Sequence, residues 1–207
     1  VMTNVNLTTD QIKEVVRQEG CCLAWGESVQ LSPADDILIR VEKALDIDSE
    51  GQMIASVLSK KAAAGSTDVV IDIPVGPTAK VRSLETAAHL SDKMVAVGKA
   101  IGLNIEIVIT DGTQPVGRGI GPALEARDVL SVLRNQDKAP LDLRERAVAL
   151  AGKLLEMSGK VVKGEGDKQA MEIRVTGVAY EKFLAICNAQ GYFTEPGTAP
   201  YKYEVKA

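Results

Sequence analysis

Histidine is nearly absent from this chain of 207 residues, since His89 is the only one. A metal centre built on imidazole and a Ser-His-Asp triad both need more, and His89 falls in Leu84-Glu85-Thr86-Ala87-Ala88-His89-Leu90, which reads as an exposed helix. Cysteine is scarce too. Cys21, Cys22 and Cys187 fit no zinc spacing and leave an odd thiol in any disulfide scheme, which points to a reducing, cytoplasmic setting and to no bound metal. Positive charge is not in excess: 24 Lys and Arg against 28 Asp and Glu leave a net charge of -4, which argues against a protein held on nucleic acid by phosphate attraction. No apolar run approaches the roughly 18 residues that span a bilayer, and no signal-peptide apolar region opens the chain, so a soluble protein without membrane contact is expected. Walker and dinucleotide glycine fingerprints are missing as well, which counts against an NTPase or a dehydrogenase. Internal repeats and low-complexity tracts are also lacking.

What is present is a rhythm. The length allows one large domain, or one domain plus an appendage. Thr8 and Gln11 form a capping-box pattern ahead of Ile12, Val15 and Val16, so a first helix is expected up to Gly20. Val1 to Leu7 and Cys21 to Trp25 look like strands, 32–36 is a turn that can start a helical or an extended piece, and Ser49 to Ala64 is a helix closed by Gly65. From Thr67 onward the pattern predicts strand 68–73, a Gly/Pro loop, helix 83–102, strand 104–110, a second glycine loop and helix 121–135. Strand, helix, strand, helix implies a parallel sheet with right-handed crossovers, an α/β fold. Helix 141–159 follows with Leu143, Ala147, Leu150, Leu154 and Leu155 as its apolar face, then a glycine-containing linker at 160–166 and a small unit over 167–190. The terminal Tyr201 to Ala207 resembles an unfinished strand, and the abrupt opening at Val1 suggests a piece of something longer.

Several polar residues stand where chemistry could use them. Each predicted strand ends in a Gly/Pro turn with one cation, Lys80 after the first and Arg118 after the second, and such strand ends bind anions through backbone N–H groups. Ser56 and Lys60 are four apart, on one helix face that also carries Met53, and can point a hydroxyl and an ammonium at one ligand edge; an ordinary solvated face is the plainer alternative. Asp48 precedes that helix and serves either as its N-cap or, with a raised pKa, as a proton donor. Arg40, in Ile37-Leu38-Ile39-Arg40-Val41-Glu42, alternates with apolar residues as on a half-buried strand and can pair with Glu42.

As a set, Ser56-Val57-Leu58-Ser59-Lys60-Lys61, Val69-Val70-Ile71-Asp72-Ile73-Pro74-Val75-Gly76 and Thr110-Asp111-Gly112-Thr113-Gln114-Pro115-Val116-Gly117-Arg118 resemble the thymidine and pyrimidine-nucleoside phosphorylase family. The similarity is greatest to its type 2 branch of archaeal AMP phosphorylases and bacterial relatives, to which Asp35 to Glu42 and Gly119 to Arg127 also correspond. The resemblance covers about residues 1–160. It implies a pentosyltransferase in which phosphate attacks the anomeric carbon and the base leaves, with inorganic phosphate as co-substrate and no cofactor. It further implies Asp48 as the acid, Ser56 and Lys80 as contacts to the nucleoside or nucleotide, and Ser56, Lys60 and Arg40 on the base. Arg40 stands one residue farther from Ser56 than in the thymidine-specific branch.

The expected architecture is a glycosyltransferase-type region over 1–160, with 32–66 contributing to a small helical domain and 67–160 to the α/β domain. A linker and the start of an α+β C-terminal domain would occupy 161–207. Nothing in the chain matches the family's phosphate-binding glycine loop, so an internal fragment, inactive by itself, is expected from a homodimer. Thymidine and the 5′-monophosphates AMP, CMP and UMP are the competing substrates, and a non-catalytic α/β scaffold is the alternative of another class.

Overall fold

The computed structural model describes residues 2–29, 32–45 and 49–197. Along them run α1 (Thr9–Glu19), α2 (Gly26–Val29), α3 (Pro33–Leu45), α4 (Glu50–Ala63), β1 (Asp68–Val75), α5 (Leu84–Ala100), β2 (Asn104–Asp111), α6 (Pro122–Leu133), α7 (Leu141–Met157), α8 (Gly166–Val175) and α9 (Val178–Ala189). The fold is α/β, rich in helix, with a small parallel sheet. The chain divides into two compact units, made of the described parts of Val29–Pro115 with Ala147–Met171, and of Val1–Ser28 with Val116–Arg146 and Glu172–Ala207.

The first of these units is built on the β1–α5–β2 crossover. β1 and β2 pair in parallel from Asp68 opposite Asn104 to Val75 opposite Asp111. Val69, Ile71 and Ile73 alternate onto the buried face of β1, as a period of two requires. They share one core with Ala87, Leu90 and Met94 of α5 and with Ile54 and Leu58 of α4. Ser83 caps α5, its hydroxyl accepting the Thr86 N–H at 3.1 Å. Gly98 lets α5 approach β2, because an added Cβ would run into the Ile105 side chain. At the strand ends the two predicted glycine loops touch: a Cβ on Gly112 would meet the Pro74 carbonyl carbon at 2.9 Å, and one on Gly76 would collide with the Gly112 backbone. Both glycines are therefore needed for close passage of two chains.

In the second unit α1 packs against α9, as does α6. The capping box at Thr8 forms as expected, with Gln11 Oε1 accepting the Thr8 N–H at 2.9 Å and Gly20 closing α1 at φ 79°. Among the described residues, the strands expected at the start of the chain and over Cys21–Trp25 are not formed. Trp25 N–H donates to the Val5 carbonyl at 2.8 Å, and the buried Gln190 amide takes the place of a ladder by bonding Leu23 N–H, Leu23 C=O and Asn4 C=O at 2.7, 2.8 and 2.7 Å. Among the described residues the sheet has two strands.

Two further expectations change. Arg40 lies in a helix rather than a strand, because Pro33 sits in the first turn with φ already helical and Ser32 C=O accepts the Asp35 N–H at 3.0 Å. In α7 the buried positions are Val148 and Gly152, while Leu154 is exposed, because the face that turns inward meets Gly166 and Asp167 of α8 at Gly152. The segment expected as linker and appendage contains α8 and α9, and the C-terminal Tyr201 to Ala207 lies outside the described residues.

Candidate functional site

Helix α4 is two-faced. Ser49 is its N-cap, accepting the Gln52 N–H at 3.3 Å, so the capping role considered for Asp48 falls to its neighbour. Ile54 and Leu58 point into the core and Met53 and Val57 pack on it. Gln52, Ser56 and Lys60 recur every fourth residue on another face, and all three converge on a single carboxylate, Asp35 of α3. Gln52 Nε2 donates to Oδ1 at 3.1 Å, Ser56 donates to Oδ2 at 2.8 Å, and Lys60 Nζ lies 2.7 Å from the same Oδ2. The Ser32 and Ser59 hydroxyls, 3.3 Å apart, join the two helices nearby.

Asp35 is only 4% exposed, whereas the Lys60 side chain is 39% exposed. Burial alone would raise the Asp35 carboxyl. The hydrogen bonds from Lys60 and Ser56, the Lys60 charge and the Gln52 amide outweigh it and hold the group below the ordinary carboxylate value, so it is an anion at neutral pH. The consequence for the donors is chemical. A serine hydroxyl has one proton, and Ser56 has given it to Asp35, which leaves its oxygen lone pairs for any ligand. An ammonium has three protons, so Lys60 keeps donors to spare.

Asp48 lies outside the described residues. Arg40 is exposed on α3 five positions after Asp35, roughly 140° around a helix of 3.6 residues per turn, so α3 does not present it with Asp35. Lys80 is exposed in the turn between Val75 and Val81, whose backbones bridge. In the second loop the backbone donors point at carboxylates of the protein itself. Arg118 and Gly119 N–H both donate to Asp128 Oδ2 at 2.7 Å, and Gly117 N–H donates to Asp142 Oδ2 at 2.9 Å. The Arg118 guanidinium donates to the Lys138 carbonyl at 2.9 Å. Gly117 N–H is the main cause that holds the Asp142 carboxyl below its ordinary value against desolvation, with smaller help from the Leu143 amide and the Arg118 charge.

Sequence reasoning missed Asp35 and Gln52. The signal that could have found them is the continuation of the Ser56–Lys60 spacing back to Gln52, a polar stripe beside the apolar positions Ile54 and Leu58, which calls for a polar partner where it is covered. His89 is exposed, as expected, and lies 3.9 Å from Glu50, which Lys93 also approaches at 2.9 Å. Among the described residues no cluster of His, Cys, Asp or Glu is placed to hold a metal ion, and no helix is long and apolar enough to cross a membrane.

No family model matches the chain. Curated relatives do. The chain is 61% identical over 206 residues to a protein of Hahella chejuensis named "Putative thymidine phosphorylase", a match that covers 100% of this chain and 41% of the relative. It is 58% identical over 207 residues to "Putative thymidine phosphorylase 1" of an Acidovorax species, covering 100% and 40%, and 54% identical over 203 residues to a Legionella pneumophila protein named "Putative thymidine phosphorylase", covering 98% and 39%. The resemblance drawn from the motifs is borne out by these names, and it extends past residue 160 to the whole chain. The chain spans about two-fifths of the length of the curated relatives it matches.

Proposed function

We propose that this chain is part of a pentosyltransferase that phosphorolyses thymidine to free base and sugar 1-phosphate. The observation that carries this reading is sequence identity of 61% along the full chain to a relative of that name. The Ser56 and Lys60 pair supports it, because both polar groups of one helix face are locked in orientation by a buried anion, the kind of preorganisation that ligand recognition uses.

In the proposed reaction a phosphate oxygen forms a bond to the anomeric carbon while the bond from that carbon to the base nitrogen breaks and its electron pair leaves with the base. Asp48 gives the base a proton and regains one from the incoming phosphate, so the carboxyl ends as it began. Charge develops on the base as it departs, and a Lys60 N–H aimed at the base edge gains strength with it. General-acid help of this kind is worth about 10² to 10⁴ in rate. Asp48→Asn in the intact protein is therefore expected to lower kcat by that factor with little change in KM, and unaltered turnover would remove Asp48 from the mechanism.

A nucleoside 5′-monophosphate is the second substrate reading, favoured by Lys80, an exposed cation at a strand end that suits a 5′-phosphate. Phosphate consumption by the intact protein with thymidine, AMP, CMP and UMP decides between them, and no consumption with any of the four leaves the non-catalytic scaffold. The three cysteines are free thiols, in keeping with a reducing cytoplasm, and a homodimer completes the proposal.

A further inference from the structure

We infer that Asp35 is a positioning residue that sets the polarity of the base-reading face of α4, holding Ser56 as a hydrogen-bond acceptor and Lys60 as a donor. The inference rests on the reading under Proposed function and adds to it the sense in which the two residues are used. Asp35 is 4% exposed and receives three donors, all from one face of α4. Its Oδ2 takes the only proton Ser56 has, at 2.8 Å, and holds the Lys60 ammonium at 2.7 Å. Gln52 Nε2 on Oδ1 and the Ser32–Ser59 contact keep the first turn of α3 against α4, so the carboxylate cannot rotate away without losing bonds on both oxygens. An ion pair of this kind is a poor source of stability compared with apolar side chains of equal volume, and direction is what it supplies instead.

A ligand meeting this face must offer an N–H to the Ser56 oxygen and an acceptor to Lys60. The adjacent N–H and C=O of a pyrimidinedione do so, as do the amino group and ring nitrogen of an aminopurine. Methylating the N–H side of either edge removes the group Ser56 accepts from, and leaves the half-buried hydroxyl oxygen facing a methyl group.

The test compares kcat/KM of the intact protein for thymidine with that for N3-methylthymidine, and for AMP with that for N6,N6-dimethyl-AMP. For whichever parent compound is turned over, methylation is expected to cost the wild type about tenfold or more, mainly in KM. Asp35→Ala removes the acceptor and frees the Ser56 proton, and the penalty should shrink to below about threefold. A wild type that accepts the methylated compound as well as its parent overturns the inference. So does an Asp35→Ala protein that keeps the full penalty, since steric exclusion alone would survive the substitution. If Asp35→Ala does not fold, as judged by circular dichroism, Ser56→Ala carries the decision: it must lose the penalty too, and retention overturns the inference. Turnover without discrimination defeats the positioning role alone, whereas no turnover of any parent compound defeats the phosphorylase reading and this inference with it.

Discussion

Around Asp35 the donors are side chains of one helix, whereas around Asp128 and Asp142 they are backbone amides of a glycine loop. Both regions drew notice in the sequence as places to bind a ligand, and in both the groups singled out hold a carboxylate of the chain itself. The difference lies in what is left over. A backbone N–H has one proton, so Gly117, Arg118 and Gly119 have given theirs to α6 and α7. A lysine has three, and a serine oxygen keeps its lone pairs, so the α4 face remains able to bind. The glycine loop is a fastening, and the α4 face is a fastening that can also recognise.

That comparison can be broken by substitution. The largest effect is expected for Asp35→Ala, which leaves Gln52, Ser56 and Lys60 facing an empty site and should cost about 2 to 3 kcal/mol in urea unfolding, the lower end being favoured because Lys60 can turn to water. A loss under about 0.5 kcal/mol would show that the cluster holds nothing together. Gly119→Ala comes next, at about 2 kcal/mol, since its Cβ would meet the Leu124 carbonyl carbon at 2.5 Å. Gly117→Ala should cost about 1 to 2 kcal/mol, because φ of 84° disfavours a side chain and the new methyl would press on Asp128 Oδ2 at 2.9 Å. If either glycine tolerates alanine without a shift in the urea midpoint, the loop is not the fastening described.

Acid sharpens the contrast with a smaller effect. Asp35 and Asp142 are both held below the ordinary carboxylate value in the fold, so each binds protons more weakly folded than unfolded. Their stabilisation is complete above the unfolded value of about 4 and is lost as pH falls through the lower folded value. Urea midpoints between neutral pH and about pH 3 should therefore fall for the wild type. Asp142→Asn should flatten part of that slope; an unchanged slope would mean that the Gly117 N–H does not favour the ionised form. The smallest change is expected for Arg118→Ala, within about 0.5 kcal/mol, because its guanidinium makes one exposed bond to the Lys138 carbonyl.

Much of the secondary structure was legible because its signals are local. The Thr8–Gln11 box, Ser83 before α5, Gly65 after α4 and the β-branched runs of β1 and β2 each declare themselves within a few residues. The failures share a cause. Cys21 to Trp25 has strand composition but, among the described residues, no neighbouring strand, and the Gln190 amide, distant in sequence by 167 residues, bonds the Leu23 backbone instead. The apolar alternation around Arg40 suited a strand until Pro33 and Ser32 started a helix upstream. Of the site, the Ser56 and Lys60 spacing was readable, and the carboxylate they share was not.

By itself the sequence determined the α/β class, the β1–α5–β2 crossover, the position of α4 and the resemblance that its motifs carry, since periodicity, caps and turn residues act over one or two helical turns. Which anion meets which donor was decided by tertiary structure alone. Asp35 reaches Ser56 across 21 residues and Asp142 reaches Gly117 across 25, distances over which no local rule couples two side chains. Only the packing of α4 on the sheet core brings its polar stripe to α3, and only that contact commits the Ser56 proton to Asp35.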